Sequence, residues 1–262
     1  MGIQKFIRGI LMYRKSARKQ MVEQFERIRD NPKPKAVLFT CMDSRVLPTR
    51  FTQSDVGDMF VVRNAGNLVP HAKLFGTELV ITTEPAALEL ACVVNKIRDV
   101  IVCGHSDCKA MNLLHAVRTP EEMMKTPSSP LRQWVSRHGA TSLTHWEKFE
   151  ASGFKAPLTF DLGSKTVLTH IDPDNKFEAT DKLSQINALT QLQNVASYPF
   201  MQPLIKTGEM RLHALWFDIY TGEIYYFSQK KGAFAIVNEE TSTDIMDEIS
   251  AMYIHSEKAV AA

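Results

Sequence analysis

A chain of 262 residues with 31 basic and 29 acidic side chains is close to neutral, which argues against a nucleic-acid-binding surface. Its 44% hydrophobic and 23% charged residues are those of an ordinary soluble globular protein. No apolar run approaches the roughly 18–20 residues that a bilayer span requires. Four cysteines are too few for a disulfide scaffold, and the first residues lack the apolar core and cleavage site of a secretory signal, so an intracellular, reducing compartment is expected.

The first 30 or so residues predict one amphipathic helix, with Ile3, Phe6, Ile7, Ile10, Val22, Phe25 and Ile28 at helical spacings. Every charge before Val22 is positive, which is also the composition of a mitochondrial targeting peptide. The pattern continues unbroken into Glu23, Glu26 and Asp30, favouring a retained helix packed on its own domain or on a partner subunit. Mitochondrial matrix and cytoplasm both stay open. Asn31-Pro32-Lys33-Pro34 ends the helix, since proline cannot continue it.

Residues 36–40 predict a buried parallel strand that delivers Cys41, and Pro48 opens a short helix or turn. A second strand over 59–62 leads into a polar loop, Arg63-Asn64-Ala65-Gly66-Asn67. A crossover helix over 85–97 precedes a third strand, 100–103, which delivers His105, and then a helix over 107–117. This alternation predicts a right-handed parallel sheet. A loop over 118–130 and a helix over 131–150 follow, and residues 151–176 are expected to be a surface excursion. After a helix over 182–197, stretches 212–220 and 224–228 around Thr221-Gly222-Glu223 predict a hairpin, supplying a fourth strand and an antiparallel edge. The tail to Ile254 predicts a last amphipathic helix, with loose residues beyond it. The fold class is α/β, a mostly parallel sheet of four strands with an antiparallel edge strand, flanked by helices and preceded by a long helical arm. With no repeat and no boundary, residues 1–262 are expected to form a single domain.

The chemistry gathers at two elbows, Cys41-Met42-Asp43-Ser44-Arg45 and His105-Ser106-Asp107-Cys108, each following a buried strand. In open α/β sheets the carboxyl ends of adjacent strands form the crevice for ligands. Two thiols and an imidazole converging there suit zinc with three protein ligands and a fourth position for water. His-x-x-Cys alone is a weak signal, because two common ligands meet by chance at short spacing. A cysteine at another strand end strengthens it. Asp43 and Arg45 are placed to pair, which withholds the carboxylate from the metal; an ordinary surface ion pair on a polar turn is the alternative. Cys92 and Cys103 fall in apolar patterns and are expected in the core, and the remaining histidines and Met111, Met123 and Met124 lack ligand-like partners.

Cys41-x-Asp43-x-Arg45 followed by His105-x-x-Cys108, with Arg63–Asn67 between and Leu215-Trp216-Phe217-Asp218-Ile219-Tyr220-Thr221-Gly222 late in the chain, resembles the β-class carbonic anhydrases. Thr40–Arg45 and His105-Ser106-Asp107-Cys108-Lys109-Ala110 are most similar to the animal branch. The resemblance implies one zinc per chain held by Cys41, His105 and Cys108, with Asp43 and Arg45 as a catalytic dyad. It implies reversible hydration of carbon dioxide to bicarbonate and a proton by a zinc-bound hydroxide. Phe60, Ala65 and Leu90 fall on its substrate-pocket positions, Leu90 where plant members commonly carry tyrosine. It also implies a homodimer paired through residues 1–30, with a tetramer open. The glutamine that plant-type members carry before the first cysteine falls in Asn31–Lys35 and is missing. Leu38 stands where members with an inhibitory bicarbonate site have tryptophan, and Phe217 replaces a tyrosine, so an open form with Asp43 held by Arg45 is expected. A structural zinc protein in which Asp43 closes the site, and a hydrolase of a carbon dioxide analogue such as carbon disulfide, are the competing readings.

Overall fold

The structure is a computed structural model and describes residues 2–74, 82–118 and 129–260, with side chains to residue 254. Most of the 118–130 loop, with Met123 and Met124, and the side chain of His255 lie outside the described residues.

The central sheet has six strands in the order β2-β1-β3-β6-β7-β8. The strands β1 (Ala36–Cys41), β2 (Met59–Asn64), β3 (Asp99–His105) and β6 (Arg211–Phe217) are parallel, as expected. The antiparallel partner β7 (Ile224–Ser228) follows through the Thr221-Gly222-Glu223 turn, and β8 (Ala233–Ile236), absent from the sequence reading, adds a further antiparallel strand. Every residue of β8 is only half-buried, so it carries no alternating pattern to read. From β1 the chain passes to one side to build β2, then crosses back to build β3 on the other. The carboxyl ends of β1 and β3 therefore flank the switch point of the topology, where such sheets open a crevice.

The core forms because β1 and β3 are apolar on both faces. Val37, Leu38, Phe39, Val100, Val102 and Cys103 are all fully buried, as strands covered on both sides require. Helix α8 (Ala179–Ala196) packs on β3 and β6, and α5 (Lys109–Ala116) packs on α8 and α6 (Pro130–His138). Cys92 and Cys103 are core residues, as expected, and burial pushes both thiols up to about 12.

Several expected elements differ. The single N-terminal helix is two, α1 (Gly2–Lys15) and α2 (Arg18–Ile28); at the break Ser16 Oγ donates to the Met12 carbonyl at 2.8 Å beside the ladder bond from its own amide at 3.0 Å. Neither helix buries a residue, and Ile28 rests over Gly57, at φ +90°, where an added Cβ would lie 2.6 Å from Ile28 Cδ1. The short element at Pro48 is the helix α3 (Pro48–Phe51), and the crossover helix is α4 (Thr83–Glu89) followed by a π turn over Leu90–Val94. Arg63 and Asn64 end β2 instead of starting the loop.

The helix expected over 131–150 is α6 and α7 (Ala140–Ala151), divided at Gly139, whose added Cβ would stand 2.6 Å from Leu114 Cδ2. The excursion at 151–176 contains a separate hairpin, β4 (Leu158–Asp161) with β5 (Thr166–Thr169). A short helix α9 (Gln202–Lys206) leads into β6, and the last helix, α10 (Ser242–Val260), runs past the expected end at 254. Among the described residues no helix is long and apolar enough to cross a membrane.

Candidate metal centre

Cys41 is the last residue of β1 and His105 the last of β3, while Cys108 immediately precedes α5 in extended geometry (φ −72°, ψ 114°). The two strands are hydrogen-bonded neighbours, so their ends bring the three side chains together: Cys41 Sγ, Cys108 Sγ and a His105 ring nitrogen all lie within 4.8 Å of one another, and all three residues are buried. The sulfurs are 3.9 Å apart. Two thiolates bound at about 2.3 Å to one tetrahedral zinc stand about 3.8 Å apart.

The imidazole is aimed. His105 Nδ1 is 2.8 Å from the Ser106 carbonyl, which fixes the proton on Nδ1 and turns Nε2 toward the sulfurs. Nε2 is fully buried and has no hydrogen-bond partner, a costly state for a ring nitrogen unless something occupies its lone pair. Two thiols and this orphaned nitrogen are a donor set that fits zinc. The Cys41 thiol is driven well below its usual range by the Cys108 hydrogen bond, with His105 and the Gly66 and Asp43 amides adding to the effect. Cys108, sharing that bond and fully buried, is pushed the other way.

Asp43 and Arg45 meet as the sequence predicts. Arg45 Nε donates to Asp43 Oδ1 at 2.9 Å and Nη2 to Oδ2 at 2.7 Å. The guanidinium holds the Asp43 carboxyl well below the usual carboxylate range. Arg63 and Asn64 hold loops. Arg63 donates to the carbonyls of Cys41 (3.1 Å), Asp43 (2.7 Å) and Val46 (2.9 Å), gathering the whole first elbow. Asn64 brackets the next loop through Leu68 N and O, and binds Glu84.

The second elbow is held from behind. Ser184 Oγ of α8 donates to the His105 carbonyl at 2.8 Å and accepts from Trp216 Nε1 at 3.2 Å. Ser106 Oγ donates to Asp218, and Asp181 accepts from the Asp107 amide at 2.7 Å. Sequence reasoning missed Asp181, Ser184, Asn187, Gln191 and Asn194, although α8 carries a signal: its 18 residues include many uncharged polar side chains and only two charges, Asp181 and Lys182. Asn187 donates to the Gly66 carbonyl, Gln191 accepts from the Val69 amide and Asn194 donates to the Val69 carbonyl.

The three pocket positions are not together. Ala65 follows β2 next to the site, and its carbonyl accepts from Trp134 Nε1 at 2.8 Å. Phe60 pairs with Val37, four residues back from the Cys41↔Asn64 level, which is about 13 Å along the strand. Leu90 begins the π turn and is 51% exposed. A cavity of about 730 Å³ lies at the opposite end of the sheet beside Arg211 and Leu212 and touches none of the three ligands.

The family model described as carbonic anhydrase matches residues 36–224, spanning both elbows and the late strand. Beta carbonic anhydrase 1 of Caenorhabditis elegans is 46% identical over 257 residues, covering 95% of this chain and 93% of the worm protein. The solved structure of the β-carbonic anhydrase CcaA superposes with a TM-score of 0.71 at 28% identity, covering 90% of this chain and all of that one. A β-carbonic anhydrase from Coccomyxa shares the fold at 19% identity, with a TM-score of 0.61 over 93% of this chain and 96% of its own. By the family match, the extent of that identity and the fold that carries the two elbows, this chain belongs to the β-class carbonic anhydrases.

Proposed function

We propose that the chain catalyses the reversible hydration of carbon dioxide to bicarbonate and a proton, using one zinc ion held by Cys41, His105 and Cys108. The observation that carries this reading is His105 Nε2, buried and unpartnered within reach of two sulfurs. Bound there, zinc would make hydroxide available near neutral pH, since it lowers the pKa of a water to about 7. Asp43, ionised and therefore only a hydrogen-bond acceptor, would accept a hydrogen bond from that hydroxide and so orient it toward carbon dioxide. Arg45 occupies both Asp43 oxygens and keeps the carboxylate off the fourth metal position, which corresponds to the open form.

Ala65 borders the reacting space within the same chain. Phe60 is remote from the ligands of its own chain and Leu90 is exposed, so in this reading they serve the site of a second copy in a homodimer. The exposed apolar face of the first two helices, with Ile3 71%, Phe6 66% and Ile10 54% exposed, supports that pairing. Removing residues 1–30 should give a monomeric or aggregating protein by light scattering; a well-behaved dimer without them would exclude the arm as the interface.

The direct test is stopped-flow carbon dioxide hydration on protein of measured zinc content, with Cys41→Ser as the matched control. Fast hydration that disappears together with zinc in the variant supports the proposal. One zinc per chain with no hydration at any pH would make the site structural.

A further inference from the structure

We infer that Asp107 is a positioning residue for the dyad: it is a second carboxylate on Arg45, and through Arg45 it keeps Asp43 turned away from the metal position. This deepens the carbonic anhydrase reading and rests on it.

Arg45 is shared between two aspartates from different elbows. Besides its two bonds to Asp43, its Nη1 donates to Asp107 Oδ2 at 2.9 Å and its Nη2 to the Asp107 carbonyl at 3.2 Å. A guanidinium is a rigid planar fork, so carboxylates on two of its edges fix both its place and its rotation. Arg45 needs that second hold. Its side chain is 42% exposed, and although the pair with Asp43 is bidentate, it joins two residues of the same turn and does not by itself tie that turn to the rest of the site.

Asp107 is itself built into place. It sits in left-handed backbone (φ +48°), a conformation that aspartate tolerates better than most residues. Its amide donates to Asp181 Oδ1 at 2.7 Å, fixing the turn against α8. Its remaining oxygen, Oδ1, accepts Lys109 Nζ at 2.7 Å and Asn112 Nδ2 at 3.3 Å, both from α5. Oδ2 is thereby left facing Arg45. Asp107 lies between His105 and Cys108, so the turn that presents two metal ligands also carries the counterweight of the dyad. Without it, the guanidinium keeps only Asp43, and the Arg45 amide, which donates to Asp43 Oδ1 at 2.9 Å, is the one backbone bond left to resist a swing of the pair. Asp43 is two residues from Cys41, close enough for its carboxylate to turn to the fourth metal position.

Asp107→Asn keeps the shape and suits the backbone, but its one oxygen cannot serve both Arg45 and the α5 donors. Asp107→Gly removes the group where positive φ costs glycine nothing. Circular dichroism establishes that each variant is folded. Two readouts follow on full-length protein at one pH near neutrality: nitrogen relaxation of the Arg45 Nε–H in the zinc form, and the visible spectrum of the cobalt-substituted form.

In both variants Arg45 should lose order, the cobalt bands should shift as carboxylate replaces water, and kcat should fall about tenfold to a hundredfold. An Arg45 as rigid as in the parent, with an unchanged cobalt spectrum, overturns the inference while leaving the hydration reading intact. A parent protein that binds metal but does not hydrate carbon dioxide, with the same shifts in its variants, upholds the positioning role and removes the proposed function instead.

Discussion

At the first elbow Arg45 and Asp43 reach solvent, with side chains 42% and 13% exposed, whereas at the second His105 is fully buried and Cys108 is 1% exposed. The first is gathered by one side chain, Arg63, acting on three backbone carbonyls. The second is braced by side chains from three directions: Ser184 and Asp181 on α8, Asp218 after β6, and the Trp216 indole behind Ser184. The difference separates two tasks. In the proposed reaction the carboxylate that would orient a proton is the part that reaches solvent, and the three candidate ligands, Cys41 of the first elbow included, are buried.

The sharpest way to break this comparison is Arg63→Ala. It removes the donor to the carbonyls of Cys41, Asp43 and Val46, leaving Asp43's only the Val46 amide at 3.1 Å, and kcat/KM should fall by roughly a hundredfold. Arg63→Lys should restore little, because an ammonium lacks the fork that reaches three acceptors. Rates within about twofold of the parent would mean that the first elbow holds itself.

Ser184→Ala tests the other side. It leaves the buried His105 carbonyl and Trp216 Nε1 unpaired, at a cost of about 1–3 kcal/mol, and a lowering of Tm by roughly 2–10 °C. Zinc affinity, measured by competition with a chelator, should drop about tenfold or more, with a smaller loss in kcat per bound zinc than Arg63→Ala shows. The reverse order of effects would exchange the roles of the two elbows.

Acid gives the mildest test. Burial pushes His138 and His145, in the helices that back the second elbow, down to about 4, with Arg137 and Lys148 adding to it. Each folded-state pKa is below its unfolded value near 6.5, so the stability these residues allow is whole above about pH 6.5 and is lost as pH falls toward 4. Near pH 6 the loss is roughly 1 kcal/mol for His138, read as a fall in Tm that His138→Gln flattens. The Asp43 carboxyl, held below its usual range by Arg45, stays ionised across this window.

The clustering of Cys41, His105 and Cys108 and the pairing of Asp43 with Arg45 were legible in the sequence because both elbows follow apolar runs that read as buried strands, and strand ends are where a parallel sheet gathers chemistry. What braces them was not. Ser184, Asn187, Gln191 and Asn194 look like an outward-facing polar surface, yet all are buried against loop backbone. Asp107 reads as an ordinary turn residue until Arg45, 62 residues earlier, is seen to close on it. The β4–β5 hairpin escaped notice because each four-residue strand buries only two side chains, too few to set a period. At the Gly139 division an added Cβ would meet Leu114 Cδ2 and the Val135 carbonyl, both at 2.6 Å, and the contact with Leu114 on another helix is not written in the local pattern.

Gly57 gives the N-terminal arm its bearing. Ile28 ends α2 directly over the bare Cα of Gly57, and a methyl group there would have to displace it. The 11 residues of α2 make a lever about 16 Å long. A tilt of about 10° at its foot moves the far end by about 3 Å, most of the rise of one helical turn. The hydrogen that Gly57 carries in place of a side chain lets the Ile28 Cδ1 close over it at the foot of that lever.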